Sequence, residues 1–253
     1  IPGLLLALAL MIANAFFAWR DDHPRLTRAE VPPFLPTLIR ALPALGIPLI
    51  IVGGIVLGWM TPTEAAAVAV VAATAAGMVY ERIGLADMLA ALQRTAMLSG
   101  SIFMLIAAVS ALGHLAALER LPEAIAGTVT ELGLGPMQYL LLLNVIFLLA
   151  GMVLDIPVAL ALLVPLLAPV AIAQGADPVH LGIVLCFNLC IGLISPPLGG
   201  CLLIVSTVTG LNYWRLARAV LPFLLVQIVV LALLIWIPDL TLWLPRQMGL
   251  VGN

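Results

Sequence analysis

The sequence predicts an all-α polytopic membrane protein, and both its composition and its long apolar runs point to that fold class. Of the 253 residues, 64% are hydrophobic and 9% are charged, and the mean hydropathy is +1.25. A soluble domain carries about 25% charged residues, so this chain has too few polar side chains to cover a water-facing surface. Several apolar runs also approach the roughly 20 residues that a membrane-spanning helix needs. Most of the surface is therefore expected to face the lipid membrane.

The same composition argues against a nucleic-acid-binding protein and against an enzyme. The basic residues are all arginines, spread along the chain without a basic patch, so no nucleic-acid partner is expected. The HExxH and GxSxG motifs of hydrolytic enzymes are absent from the sequence. Cys186, Cys190 and Cys201 lie within apolar runs and lack the CxxC pairs of a zinc site, so we expect them to be buried apolar side chains.

Apolar runs follow one another along the chain. The first, 1–19, has no charged segment or cleavage site before it and is interpreted as the last helix of a preceding half of the protein, not as a signal peptide. Runs 44–60 and 64–80 are joined by Thr61-Pro-Thr-Glu64, a turn with a helix start, and are expected to form a helical hairpin. Two more runs are long enough to cross the membrane outright: 95–118 and 219–237.

Arginine positions orient these segments in the membrane. If the helices alternate sides from an external start, eight arginines fall on one side of the membrane: Arg20, Arg25, Arg28, Arg40, Arg82, Arg94, Arg215 and Arg218. Only Arg120 and Arg246 fall on the other side. Because arginine-rich loops stay in the cytoplasm, we predict that 20–43 is a cytoplasmic loop and that the C-terminus is periplasmic.

A carboxylate separates the next two apolar runs. Asp155 lies in Leu154-Asp-Ile-Pro157, between runs 137–154 and 156–173. Two full crossings would place Asp155 in a short cytoplasmic turn, whereas a re-entrant hairpin would place it near the bilayer centre, beside a cation, a partner or water. The arginine pattern fits both arrangements. We favour a functional Asp155 in a re-entrant hairpin; the alternative is a residue that only N-caps the following helix.

The following apolar stretch, 179–210, is interrupted by Ser195-Pro-Pro-Leu-Gly-Gly200. Two prolines remove backbone donors and stop the helix, and the glycines allow an open backbone. The freed carbonyls must face protein, water or an ion, so we predict a broken transmembrane helix. Hard cations such as sodium prefer oxygen ligands, and the candidates for a cation site are the following: Asp155, Ser195, and the carbonyls from Gly192 through Pro197 to Gly199. A simple kink is the alternative.

Several stretches together resemble one family, the large membrane subunit of TRAP (tripartite ATP-independent periplasmic) transporters, in its C-terminal part. The likeness runs over essentially the whole chain, and these stretches carry it: Thr61-Pro-Thr-Glu-Ala-Ala-Ala-Val-Ala-Val, Gly151-Met-Val-Leu-Asp155, Pro165-Leu-Leu-Ala-Pro169, Asp177-Pro-Val-His-Leu-Gly182 and Asn188-Leu-Cys-Ile-Gly-Leu-Ile-Ser-Pro-Pro-Leu-Gly199.

The resemblance implies one half of an elevator-type ion-transporter fold, acting as a sodium-driven importer of organic anions in the bacterial inner membrane. Its partners would be a small TRAP membrane subunit, a periplasmic substrate-binding protein and the missing N-terminal half of the same subunit. Sodium would be the coupling ion, with no other cofactor. The chain then divides into the helix at 1–19, the loop at 20–43 and three larger parts: scaffold helices with a cytoplasmic arm at 44–136, the transport-domain hairpin and broken helix at 137–210, and the final helix with a periplasmic tail at 211–253.

The resemblance also suggests roles for individual residues. Gly192, Ser195 and Pro197 would supply carbonyl ligands to one sodium ion, and Asp155 and Arg120 would lie near the substrate, with Ser195 beside them. The family often has Thr before the double proline and Asn a few residues after it, where this chain has Ser195 and Cys201. The serine keeps the hydroxyl, whereas the lost amide removes a polar contact. An ion channel and a non-transporting assembly subunit are the alternative functions; C4-dicarboxylates, keto acids and sialic acids all suit the pattern as substrates.

Overall fold

The structure, a computed structural model, describes residues 1–22, 32–80 and 83–249. All regular secondary structure in these ranges is helical. The helices are α1 (Pro2–Arg20), α2 (Phe34–Val56), α3 (Pro62–Tyr80), α4 (Leu85–Leu118), α5 (Leu121–Glu131), α6 (Pro136–Gly151), α7 (Ile156–Ala173), α8 (Pro178–Leu193), α9 (Gly200–Thr209), α10 (Tyr213–Trp236) and α11 (Asp239–Gln247). Arg25, Arg28 and Arg82, three of the arginines that oriented the chain, lie outside the described residues.

Five of these helices are long and apolar enough to cross a membrane by length and composition: α1, α3, α4, α7 and α10. A sixth span is counted if the two bent parts of α2, Phe34–Leu42 and Ala44–Val56, act as one. Large apolar side chains lie exposed along them, among them Met104 at 78% exposure. Such a surface is stable in contact with lipid and not with water. The predicted all-α polytopic membrane protein is confirmed.

The chain divides into two compact units, and the smaller one covers residues 23–101. Within it α2 and α3 pack against each other, as the sequence predicts for a helical hairpin. The turn between them ends in a capping box. Glu64 Oε2 accepts hydrogen bonds from the Thr61 backbone N–H (2.7 Å) and hydroxyl (2.8 Å), and Thr61 Oγ1 accepts one from the Glu64 N–H. This box determines where α3 begins.

Several helix bounds differ from the apolar runs. Residues 34–42, which the sequence analysis included in the cytoplasmic loop, are helical, and α4 begins at Leu85, ten residues before its apolar run. The short helices α5 and α11 were not predicted. These segments contain polar residues, and a helix satisfies its own backbone hydrogen bonds whether or not its side chains are apolar. The limits of an apolar run therefore indicate lipid contact and not the ends of the helix.

The larger unit, residues 1–22 and 102–253, contains the hydrophobic core. Helices α6, α7, α8 and α10 supply most of the buried side chains, including Tyr139, Phe147, Leu185 and Leu234. In the α6–α7 hairpin, the Tyr139 hydroxyl near the start of α6 donates to the Leu167 carbonyl near the end of α7 (2.9 Å). The two helices therefore lie antiparallel.

Helix α11 is held against α8 by a buried polar contact. The Thr241 hydroxyl donates to the Pro238 carbonyl (2.7 Å), so its oxygen accepts from His180 Nδ1–H, also at 2.7 Å. Both side chains are nearly fully buried. On the exposed face of α11, Arg246 and Asp239 form an ion pair (2.8 Å). The predicted tail therefore begins as an ordered helix.

The expectation of three buried cysteines was wrong. Cys186 and Cys190 are exposed on α8, and Cys201 is half-buried. Because small apolar side chains are as stable against lipid as in a protein core, an apolar run does not distinguish an inward-facing from a lipid-facing cysteine.

Candidate functional site at two adjacent helix breaks

Helices α6 and α8 lie side by side and run in the same direction. Asn188 on α8 donates hydrogen bonds to both the side-chain oxygen (2.7 Å) and the carbonyl (2.6 Å) of Asn144 on α6. Further along, Gly192 on α8 meets Gly151 on α6. Both contacts advance along the two helices in the same sense. The C-terminal ends of α6 and α8, at Gly151 and Leu193, therefore lie at the same level.

The contact between Gly151 and Gly192 is made by backbone atoms. A Cβ atom added to Gly192 would lie 2.7 Å from Gly151 Cα and 3.0 Å from the Leu148 carbonyl oxygen. A Cβ atom on Gly151 would lie 3.1 Å from the Leu189 carbonyl oxygen. Small residues allow this approach between membrane helices. The Gly192 carbonyl accepts a hydrogen bond from Ser195 N–H (2.9 Å), which occupies one of its two lone pairs.

Asp155 lies at the tip of the α6–α7 hairpin. It occupies the N-cap position of α7, but its side chain makes no capping hydrogen bond, so the interpretation as a helix cap alone is not supported. The exposed carboxylate borders a cavity of about 210 Å³, whose other lining includes Leu193 at the end of α8 and residues 102–109 of α4. Apart from Asp155, the lining is apolar.

The second interruption separates α8 from α9, between Leu193 and Gly200, so the predicted helix break is confirmed. Within it Ser195 is 1% exposed, and its hydroxyl donates to the Ile191 carbonyl (2.7 Å), which leaves the hydroxyl oxygen free to accept or to bind a cation. Gly199 has a φ of +47°, and a Cβ atom there would lie 2.9 Å from the Ser195 carbonyl oxygen. The break is thus a folded loop that requires glycine at this position.

The ends of α6, α7 and α8 lie together beside Asp155, and α9 begins after the second break. The C-terminal ends of α6 and α8 carry partial negative charge on unpaired carbonyls, and the N-terminal ends of α7 and α9 carry partial positive charge on N–H groups. Carbonyl, hydroxyl and carboxylate oxygens are the donors here, which fits a hard cation such as sodium. Within the described ranges, no cluster of three His, Cys, Asp or Glu side chains forms a site of the transition-metal type.

Tyr213 forms hydrogen bonds to the second break, and the sequence analysis did not predict them. From the first turn of α10, its hydroxyl donates to the carbonyl of Pro197 (2.8 Å) and, at 3.2 Å, to that of Leu198. Pro197 was predicted as a cation ligand, and its carbonyl thus has a protein partner. No local pattern links Tyr213 to residues 15 and 16 positions earlier.

Arg120 is not brought to Asp155. It links α4 to α5 in a left-handed conformation with a φ of 51°. Helix α4 reaches the cavity at Asp155 through residues 102–109, and its end at Leu118 is about 14 Å further along the axis. Arg120 is exposed and makes no salt bridge within the part of the chain that the structure describes. The other predicted residues, by contrast, all lie at the two breaks.

Broken and paired membrane helices with oxygen donors at the breaks are a pattern found in one class of membrane protein, the secondary transporters. The profile of the family described as "Tripartite ATP-independent periplasmic transporter, DctM component" matches residues 1–240. The chain belongs to this family, and the resemblance found in the sequence is confirmed.

Curated relatives agree with this assignment. The chain is 38% identical over 251 residues to the C4-dicarboxylate TRAP transporter large permease protein DctM of Pseudomonas aeruginosa, a match that covers 99% of this chain and 59% of the relative. It is 37% identical to the sialic acid TRAP transporter large permease protein SiaM of Vibrio cholerae, covering 97% of this chain and 58% of that protein. It is 33% identical to the ectoine/5-hydroxyectoine TRAP transporter large permease protein UehC of Ruegeria pomeroyi, covering 96% and 57%. The chain thus spans a little under three-fifths of the length of these relatives.

Proposed function

We propose that this chain is the ion- and substrate-binding part of a sodium-coupled importer of organic carboxylate anions in the bacterial inner membrane. The observation that carries the proposal is the parallel contact of α6 with α8, through Asn144–Asn188 and Gly151–Gly192, because it places both helix breaks beside each other. Permeases of this family have relatives named for C4-dicarboxylate and sialic acid transport, which supports a carboxylate as substrate.

Sodium is proposed to bind among the oxygens of the break. Gly192, Ser195, Pro197 and Gly199 contribute carbonyls, and Asp155 contributes a negative charge from the neighbouring tip. The Gly192, Pro197 and Gly199 carbonyls each already accept one hydrogen bond, and a sodium ion there would bind their second lone pairs. A bound cation and the helix N-termini of α7 and α9 then offset the charge of an anionic substrate, which is how ion and substrate binding become coupled. Arg120 is proposed to act earlier, by attracting the anion at an entry surface.

The hairpin is proposed to be re-entrant. Helix α6 has 16 residues, a length of about 24 Å, and α7, though apolar enough to cross a membrane, has 18, about 27 Å, against a hydrocarbon core of about 30 Å. Asp155 at its tip would then lie within the membrane and not in the cytosol. Because Asn188 and Gly192 bind the hairpin to the broken helix, the two would move together, as an elevator mechanism requires.

The partners are proposed from the family. A small membrane subunit and a periplasmic substrate-binding protein would complete the transporter, together with the part of the relatives' length that this chain does not span. A periplasmic C-terminus, with α11 on the outer side, agrees with the arginine pattern.

The test is uptake by the complete permease, reconstituted in vesicles with its small subunit and binding protein, over a panel of labelled carboxylates with and without a sodium gradient. We expect saturable, sodium-dependent uptake that Asp155→Ala abolishes without loss of the folded complex. Asp239→Ala is the matched control, because Asp239 is an exposed acid in a surface ion pair of small energetic value. Normal uptake by Asp155→Ala would remove Asp155 from the site. Sodium-independent, non-saturating flux would indicate a channel instead, and no flux from an intact complex would indicate an assembly subunit.

A further inference from the structure

We infer that Tyr213 is the positioning residue of the broken helix: its hydroxyl holds the carbonyls of Pro197 and Leu198 in the orientation that cation binding requires. The inference rests on the proposed function and adds a residue on α10 to the site. It starts from two distances, 2.8 Å to the Pro197 carbonyl oxygen and 3.2 Å to that of Leu198.

The chain between α9 and α10 brings Tyr213 back toward the break. Helix α9 has ten residues, so its end at Thr209 lies about 15 Å from the break. Gly210, with a φ of +68°, turns the chain, and the Ser206 hydroxyl donates to the Leu211 carbonyl (2.7 Å), which holds the segment alongside α9. Asn212 then N-caps α10 by accepting from Trp214 N–H (2.9 Å). Because the chain turns back after α9, the Tyr213 side chain starts close enough to the break for its hydroxyl to reach the Pro197 carbonyl.

The break depends on this contact because its own backbone offers little support. Pro196 and Pro197 have no N–H to donate, and the Pro197 and Leu198 side chains are exposed. Within the described residues, Tyr213 is the side chain that donates to carbonyls of residues 196–199. Without its hydroxyl, the Pro197 carbonyl would have no hydrogen-bond donor and more conformational freedom.

A carbonyl oxygen has two lone pairs, so the Pro197 carbonyl can accept from Tyr213 and bind a cation at the same time. The hydroxyl also polarises the carbonyl group and fixes its direction before the ion arrives. Ordering a ligand group in advance lowers the cost of binding. Tyr213 therefore increases sodium affinity without contacting sodium, and its removal should weaken ion binding more than it weakens the fold.

The experiment compares Tyr213→Phe with Tyr139→Phe in the complete permease with its partner subunits. Both variants keep the ring and lose one hydroxyl that donates to a backbone carbonyl, but Tyr139 bonds Leu167, at the far end of the α6–α7 hairpin from Asp155. The first readout is the rise in thermal unfolding temperature when sodium replaces choline, which does not require transport. The second readout is the sodium concentration for half-maximal uptake, compared with the maximal rate.

We expect Tyr213→Phe to raise the half-maximal sodium concentration about three- to tenfold and to reduce the sodium-dependent thermal shift, the scale of one lost hydrogen bond. Tyr139→Phe should lower the unfolding temperature in both salts and leave sodium dependence unchanged. Equal or tighter sodium binding in Tyr213→Phe would overturn the inference, since it would mean that the hydroxyl is neutral or competes with the ion. If the unmodified permease shows no sodium dependence, the proposed function fails instead.

Discussion

Gly192 and Gly151 touch backbone to backbone, and this single contact places the end of the broken helix against the tip of the hairpin. The helices α8 and α6 approach so closely there that a Cβ atom on Gly192 would overlap the Gly151 backbone, and one on Gly151 would make tight contacts of 3.1–3.2 Å. The contact can be tested by substitution in the purified permease, as can the Asn188–Asn144 pair, the turn at Gly199 and the Thr241 bond at the other end of α8.

Gly192→Ala should destabilise the permease by about 1–3 kcal/mol, the range for overpacking a tight contact, because the new methyl group would lie 2.7 Å from Gly151 backbone atoms. Gly182→Ala is the control on the same helix, since a Cβ there meets nothing within 4 Å. Thermal unfolding measures both. Equal unfolding temperatures for the two variants would show that α6 and α8 do not touch at these glycines.

Asn188→Ala should cost about 1–3 kcal/mol of stability, because Asn188 is 0% exposed and its amide donates to both oxygens of Asn144. Asn188→Asp should be at least as damaging, since it places a carboxylate against two acceptor oxygens. The control is Thr130→Ala, which removes an exposed hydroxyl bonded within its own helix. Denaturant or thermal unfolding separates them. An Asn188→Ala variant as stable as Thr130→Ala would contradict the pairing.

Gly199→Ala should impair the break for two reasons, its positive φ and the Ser195 carbonyl oxygen 2.9 Å from the added Cβ. Gly133→Ala isolates the first reason, because Gly133 has a φ of +62° but open space around it, so it should cost only about 1–2 kcal/mol. We expect Gly199→Ala alone to lose sodium-dependent thermal stabilisation. If Gly133→Ala loses it equally, the effect is not local to the break.

Thr241→Val should release α11 from α8, since the valine can neither accept from His180 nor donate to Pro238. Hydrogen exchange of the amides in 239–247 should become faster, while exchange in the middle of α8 should not change. Thr241→Ser keeps the hydroxyl and should restore slow exchange. Fast exchange in the serine variant would mean that the threonine methyl group, and not the hydrogen bond, holds α11.

Both helix breaks could be located from the sequence because their cause is local. Proline lacks an N–H and glycine adopts conformations closed to other residues, so Ser195-Pro-Pro-Leu-Gly-Gly200 interrupts a helix in any fold. The same holds for the tip at Asp155, where an acid and a proline follow an apolar run. The predicted starts of α2 and α4 were less accurate, because the first residues of these helices include polar side chains and so lie outside the apolar runs.

The site residues were predicted unevenly for a related reason. Asp155, Gly192, Ser195, Pro197 and Gly199 each lie at or next to one of the two helix breaks, and the structure brings Leu193, at the end of α8, to the cavity beside Asp155. Arg120 was placed near the substrate by family likeness, and the structure leaves it at the start of α5. Tyr213 went unnoticed because its partners are carbonyls of the break, and any residue type can offer a carbonyl.

The amino-acid sequence by itself determined that this chain is a helical membrane protein of the DctM family, with two interrupted segments of known position. Hydrophobicity and backbone chemistry are properties of neighbouring residues, so they can be seen in a linear string. Only the tertiary structure decided that the two interruptions adjoin, through Gly151 and Gly192, and that Tyr213 holds one of them. Those contacts join residues 15 to 41 positions apart, and their energies depend on how whole helices pack.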